Sequence, residues 1–300
     1  MANSATVNSN GPASIIETQP PAVLEMVKKV SSIATLPEIT AKIIATVEDP
    51  KSTPAHLHKI VAHDPALVTR ILKVVNSAFY GLPGQIASIE RAIVLLGLNA
   101  IKNIAVAASL GQLFRGVKLC EAFTAKDLWT HCIAVGITAR YVAKQMKVPL
   151  ADEAFLAGMI HDVGLLVSLQ VMPDKLRQVC EKAKAPNSNF CDLERDAMGM
   201  DHQQLGAALC DQWKFPRSCQ RVAGYHHRPF QLSDNNRHLV SIVHVADTLV
   251  ATAGHGFNLT AVNQKFDHDA LENVGIDAML IELARKTLPE LIASSASVFA

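Results

Sequence analysis

From Ala22 to Phe114, apolar residues recur every three or four positions, in 38–47, 56–62, 65–75, 89–96 and 101–113. That spacing predicts a run of short amphipathic helices. The breaks between them have local chemistry. Asp49-Pro50 ends one helix, Ser52-Thr53-Pro54 opens the next, Asp64 caps a helix that starts at Pro65, and Gly81-Leu82-Pro83-Gly84 is a loop. Asn76-Ser77 is placed to end a helix by side-chain-to-backbone hydrogen bonds, and Gly97 to relax a tight corner. The same period continues in 127–146, 152–169, 202–213, 216–226, 238–252 and 277–288, the last stopped by Pro289. No segment alternates with period two. The expected fold is all-α with two helical lobes: a bundle over 22–116 and a larger helical domain over 117–300, joined near 116–123. Residues 1–21, rich in Asn, Ser, Pro and Thr, are expected to be a disordered lead-in.

Composition narrows the function. Three hundred residues with 49% hydrophobic content can bury a large core. A net charge of +1 gives no strong field toward nucleic acid or membrane, although 22–116 carries 10 basic and 6 acidic side chains against 18 and 20 in 117–300. A helix-turn-helix is a rival reading of 54–75. Its turn would be Asp-Pro and its second helix offers only Arg70 and Lys73 as basic groups, so no direct DNA binding is expected. Cys120, Cys132, Cys180, Cys191, Cys210 and Cys219 show no Cys-x-x-Cys spacing, so neither a zinc knuckle nor a disulfide framework is suggested. Reduced thiols point to the cytoplasm. The first twenty residues lack a signal peptide's apolar core, and no uninterrupted apolar run reaches the roughly 20 residues that span a bilayer, so no membrane partner is expected.

The polar residues that need an explanation are His161 and Asp162, side by side within the apolar stretch 153–167 and bracketed by Gly158 and Gly164. An ionisable pair in such surroundings must be paired, hydrogen-bonded or bound to a cation. An imidazole and a carboxylate at neighbouring positions can reach one divalent ion, while the bland alternative is a core histidine paired with its own aspartate. Other metal-ligand types lie around them. Asp127 and His131 are four apart on one helix face, His202 opens a helix, His226-His227 closes another, and His244 and Asp247 are three apart in an apolar run. The simplest reading is that these groups converge on one site.

Leu36-Pro37, His63-Asp64-Pro65-Ala66-Leu67, the run Leu72-Lys73-Val74-Val75-Asn76-Ser77-Ala78-Phe79-Tyr80-Gly81, and Ile89-Glu90-Arg91-Ala92-Ile93-Val94-Leu95-Leu96-Gly97 resemble, in order and spacing, the HDOD family of bacterial signalling domains. His131, His161-Asp162 and Asp247 are similar to the ligand pattern of the HD superfamily of metal-dependent phosphohydrolases. The resemblance extends to the multinuclear HD-GYP phosphodiesterases, whose further ligands would correspond to Asp127, where a glutamate is usual, and to His202, His226 and His227. It implies divalent metal on these residues, and a mixed imidazole and carboxylate shell favours iron, manganese or zinc over calcium.

Alternatives stay open at three points. Asp127 either bridges metal or caps its helix near Thr124; His226-His227 either ligate or form a solvated helix end; His244 either supports the ligands or is structural. His56, His58, His63, His238, His255 and His268 are read as lying outside the site. Two departures from the phosphodiesterase pattern stand out. Leu165 occupies the position of a lysine, and Arg228-Pro229-Phe230 replaces a Gly-Tyr-Pro loop; Arg221 or Arg228 would have to supply a positive group. The expected function is a cytoplasmic regulatory protein acting through a partner protein, a nucleotide ligand or assembly into a homo-oligomer. The alternative is a phosphohydrolase in which Asp162 is catalytic.

Overall fold

This computed structural model describes residues 19–30, 38–49, 51–77, 80–114 and 118–299. The expected lead-in over 1–18 and the motif residues Leu36-Pro37 and Ala78-Phe79 lie outside the described residues, as does the start of the expected 116–123 junction. Among those described, the chain is all-α. Its β pairing is an isolated antiparallel bridge between Lys118 and Thr124.

The first helices are α1 (Pro21–Val30), α2 (Glu38–Glu48), α3 (Pro54–Ala62), α4 (Pro65–Val75), α5 (Ile89–Leu96) and α6 (Leu98–Leu110). Their ends are set as the side-chain chemistry predicts. The Asp64 carboxylate accepts from the Leu67 amide, and the Ser88 hydroxyl from the Arg91 amide. Asn76 closes α4 by donating to Leu72 O at 2.9 Å. It also exchanges two hydrogen bonds with the Ile86 backbone, at 2.7 and 2.8 Å, which fastens the 80–88 loop. Gly97 turns the corner between α5 and α6 with a φ of +86°, where other residues are strained.

The second half contains α7 (Ala125–Gln145), α8 (Ala151–Ile160), α9 (Gly164–Val171), α10 (Pro173–Ala183), α11 (Phe190–Met198) and α12 (His202–Gln212). It continues with α13 (Arg217–Tyr225), α14 (Asp234–Thr252), α15 (His268–Glu272) and α16 (Ala278–Phe299). The stretch expected as one helix over 152–169 is two, because residues 161–163 form a tight turn with Val163 N bonding to Ile160 O and Leu165 N to Asp162 O. The expected stop at Pro289 does not occur; α16 runs through it. Proline deprives only its own turn of one hydrogen bond, and burial of Leu288 and Ile292 on either side outweighs that loss.

Stretch 151–171 is long and apolar enough to cross a membrane by length and composition alone. Here an 18-residue window of it is 89% buried inside the protein. It forms the centre of the core: α8 packs on α6, α7, α13 and α14, and α9 packs on α12. Helix α1, at the start of the expected first lobe, lies against α9 and α12, and α16 lies against both α4 and α7. All six cysteines are buried free thiols.

Glycines set two close helix approaches around this centre. At Gly136 and Gly158, α7 and α8 cross so tightly that a Cβ on Gly158 would stand 2.8 Å from the Gly136 Cα. At Gly164, a Cβ would stand 1.9 Å from the backbone oxygen of His202. Glycine at these points lets α7, α9 and α12 come near enough for their polar side chains to meet.

Candidate metal centre

The turn at 161–163 places His161 and Asp162 at the middle of the core, facing His131 on α7, His202 at the first position of α12, His226-His227 after α13, and Asp247 on α14. The side chains of His131, His161, Asp162, His202, His226 and Asp247 are fully buried, and His227 is 8% exposed. They fall into overlapping sets whose ligand atoms all lie within 4.8 Å of one another: Asp162 with His202, His226 and His227; His131 with His161 and Asp162; and His161 with His226 and Asp247. Asp162 belongs to the first two sets. Its two oxygens face different imidazoles, Oδ1 toward His202 and His226 at 3.3 Å each and Oδ2 toward His161 at 3.3 Å.

Each imidazole is held from behind. Nδ1 of His161 donates to Gly158 O at 2.7 Å, that of His226 to Val222 O at 3.0 Å, and that of His131 to His255 O at 3.3 Å. His202 Nδ1 lies 2.5 Å from the Glu194 carboxylate, and His227 Nδ1 lies 2.7 Å from the Gln264 side-chain oxygen. A carbonyl or carboxylate can only accept, so Nδ1 carries the proton and the Nε2 of a neutral ring presents its lone pair inward. Those lone pairs face one another and the carboxylates: His227 and His202 Nε2 are 3.1 Å apart, His202 and His226 Nε2 3.4 Å, and His131 Nε2 is 3.0 Å from Asp247 Oδ1. His161 Nε2, Asp162 Oδ1 and Asp247 Oδ2 are buried with no hydrogen-bond partner.

Lone pairs packed in this way repel unless a positive charge lies between them. Ligands about 2.0–2.2 Å from a shared ion stand roughly 3.0–3.5 Å from each other, which is the spacing found. The residues therefore fit divalent metal, and fixing of the distal ring nitrogen is the usual support for metal-binding histidines.

Without metal, the same groups hold one another as ion pairs, with protons on His161 and His202 that a metal ion would displace. Burial would raise the Asp162 carboxyl, but His161, then His226 and His202, hold it well below the ordinary carboxylate range. Asp247, likewise buried, is held down by His131, His161 and His227. Burial opposes charge on His161 and His202 too, yet the Asp162 and Glu194 carboxylates raise them to about 8 and about 9. His226 and His227 are lowered, chiefly by burial, and for His227 next by neighbouring His226.

Asp127 stands apart from this cluster. Its carboxylate accepts from the Thr124 amide at 2.7 Å and from the Thr124 hydroxyl at 2.6 Å, closing a capping box at the start of α7, so of the two readings left open for Asp127 it takes that of a helix cap. His244 is not a ligand in any of the sets. Its Nδ1 donates to the His226 backbone oxygen at 2.7 Å, which steadies the His226-His227 turn, and its ring lies between Phe230 and Phe266. Leu165 is wholly buried in the core. Arg228 lies 3.5 Å from Asp201, and Arg221 lines a separate hollow with Ser218 and His238.

Three residues at the site were not expected from the sequence. Glu194 takes both the His202 amide at 2.9 Å and the ring. Its signal was present: on α11 it shares the buried face with Phe190, Cys191 and Met198, an acid at an apolar position. The other two are Thr260, whose hydroxyl is 3.4 Å from Asp162 Oδ2, and Gln264, both from the turns between α14 and α15. Nothing periodic marks those.

The fold and this cluster define a class, helical proteins of the HD superfamily that gather histidines and aspartates at one buried point. The chain belongs to the HDOD domain family, whose pattern matches residues 33–229. It is similar to an uncharacterized protein of Treponema pallidum (strain Nichols), 24% identical over 223 residues covering 74% of this chain and 43% of that protein. The chain thus spans less than half the length of the curated relative it matches. Among solved structures, it resembles the "Putative phosphohydrolase" of Shewanella amazonensis SB2B, with a TM-score of 0.71, 22% identity, and 93% of this chain and 98% of that one covered. The HDOD domain protein of unknown function from Geobacter sulfurreducens is similar at a TM-score of 0.68 and 22% identity, with 92% and 99% covered. At these identities the likeness is one of fold.

Proposed function

We propose that this chain is a cytoplasmic regulatory protein of the HDOD type, built around an intact divalent-metal centre and acting through a bound ligand or a partner protein. The observation that supports it is the convergence of five inward-facing Nε2 atoms and two carboxylates, each ring fixed at Nδ1. His131, His161, Asp162 and Asp247 would hold one side of the centre, and His202, His226 and His227 the other, with Asp162 shared. The mixed imidazole and carboxylate donors suit iron, manganese or zinc better than calcium.

A second reading, a metal-dependent phosphohydrolase, is favoured by the completeness of the ligand set and by the name of the Shewanella relative. A divalent ion supplies a Lewis acid that activates water and neutralises phosphoryl charge. The protein's share would be orientation: Glu194 and Gln264 aim the rings of His202 and His227, and the surrounding apolar core excludes bulk water.

Element-resolved mass spectrometry on anaerobically purified protein should find metal in wild type and a sharp loss in His161→Ala and Asp162→Ala. Wild type that stays metal-free after reconstitution would reduce the cluster to a polar core network. Steady-state assays on linear and cyclic nucleotides separate the two readings. Metal-dependent turnover near roughly 1 per second, abolished in Asp162→Ala, would promote the hydrolase.

A further inference from the structure

The metal ligand that reaches the surface is His227, and it lies at the base of a cleft of about 270 Å³. Ser188, Asn189, Thr260, Asn263 and Lys265 are among its walls. We propose that this cleft receives the phosphate group of a small phosphorylated ligand, and that Lys265 is the cation that clamps it. The inference rests on the metal-centre reading and extends it to a ligand class and a residue.

Four observations carry it. The base of the cleft is continuous with the cluster, since Thr260 approaches Asp162 and Gln264 fixes His227. An anion entering there meets the ligand shell through His227. No carboxylate lines the cleft among the described residues, and Lys265 is its cationic side chain. A lysine ammonium binds phosphate as a point charge.

One wall is the start of α11, with Phe190 and Cys191 facing the cleft. The Asn189 side chain already caps the Asp192 amide at 3.0 Å, so an anion here would be left the amides that precede it, on the side the helix dipole favours. The segment that carries Lys265 is tied to this wall, because Asn263 donates to Ser188 O and to its hydroxyl at 3.2 Å each.

Lys265 also lies beyond residue 229, outside the stretch matched to the family. The positive group missing at buried Leu165 is thus supplied from a different part of the chain. The size of the cleft limits the ligand. About 270 Å³ is at the foot of the roughly 300–1,000 Å³ range of small-molecule pockets. It suits a phosphorylated sugar or a mononucleotide, while two nucleotides joined in a ring are too large.

The test is titration calorimetry of inorganic phosphate and adenosine monophosphate into the full chain, metal-loaded and metal-stripped, for wild type, Lys265→Ala and Lys265→Arg. Lys265 is exposed, so neither substitution disturbs the core. Both probes should bind metal-loaded wild type. Lys265→Ala should weaken them about tenfold or more at unchanged metal content, and Lys265→Arg should recover most of the loss. A cyclic dinucleotide should not displace phosphate.

Failure of the metal-loaded wild type to bind phosphate overturns the proposal. So does unchanged affinity in Lys265→Ala at full metal content, and that result leaves the metal centre standing. Phosphate bound through Lys265 by a protein that takes up no metal keeps the clamp and rejects the centre. Displacement by the cyclic dinucleotide at concentrations similar to adenosine monophosphate overturns the size limit.

Discussion

Glu194 shows how one buried carboxylate fixes the orientation of a candidate ligand, His202. It is fully buried, its pKa is raised by that burial, and it holds both the amide and the ring of His202. Removing it leaves Nδ1 of a buried imidazole unsatisfied and frees the ring to turn. Glu194→Ala should therefore lower metal affinity by about 10–100-fold, and Glu194→Gln, which keeps an acceptor, by less. Competition with a fluorescent chelator measures both. Equal affinities in Glu194→Ala and wild type would show that the packing of Phe190 against His202, ring centroids 5.9 Å apart, suffices to hold the ring. Asn76 has a comparable reach in the first half of the chain. A residue expected to end a helix also binds the backbone ten residues on, so its side chain joins a helix to a loop.

Between elements, the decisive contacts are backbone to backbone. The start of α9 meets the start of α12 at Gly164, where a methyl group would overlap the His202 carbonyl at 1.9 Å. No flexible side chain is available to move aside. Gly164→Ala should cost on the order of 3 kcal/mol, at the upper end of core overpacking, and should reduce metal content because His202 moves with α12. Urea denaturation of the metal-free protein gives the first quantity and mass spectrometry the second. A midpoint equal to wild type would mean that the helices separate at no cost. The break between α8 and α9 is of the same kind: bonds of shorter span at 161–163 turn His161 and Asp162 inward together, which a continuous helix would not do.

For the whole molecule, the site's charge makes the stability of the metal-free protein, and the stabilisation that metal adds to it, depend on pH in opposite ways. In the metal-free protein, His161 and His202 are raised from 6.5 to about 8 and about 9. A raised folded-state pKa contributes stability that is complete below the unfolded value and lost as pH climbs through the folded one. Metal-stripped protein should therefore lose stability from pH 6.5 to about 9. Metal binding displaces those same protons, so it strengthens as they leave, and the stabilisation added by metal should grow over the same window. Urea midpoints across it, with and without metal, check both. A stripped protein that grows more stable toward the alkaline end would contradict the assignment of protons to these two histidines.

Helical period, caps and the isolated His-Asp pair were all legible in the sequence, because each depends on neighbours within a turn or two. The apolar spacing of α4 and α5, the capping by Asp64, and the kinds of residue needed for metal could be read from the chain alone. Resemblance to the HDOD family and the HD superfamily added the expected companions of His161 and Asp162 in chain order. Tertiary structure decided the rest. Whether Asp127 capped or ligated depended on where the start of α7 lies relative to the cluster, and its carboxylate closes a capping box with Thr124 instead. Whether Pro289 stopped α16 depended on burial of the residues around it. Glu194 and Gln264 reach the site, and Lys265 the cleft beside it, from chain segments with no motif, and only packing brings them there. Local chemistry chooses each element and its ends, while which side chains share a pocket follows from how closely the helices cross, here set by glycines whose role emerges only when the opposing backbone is in place.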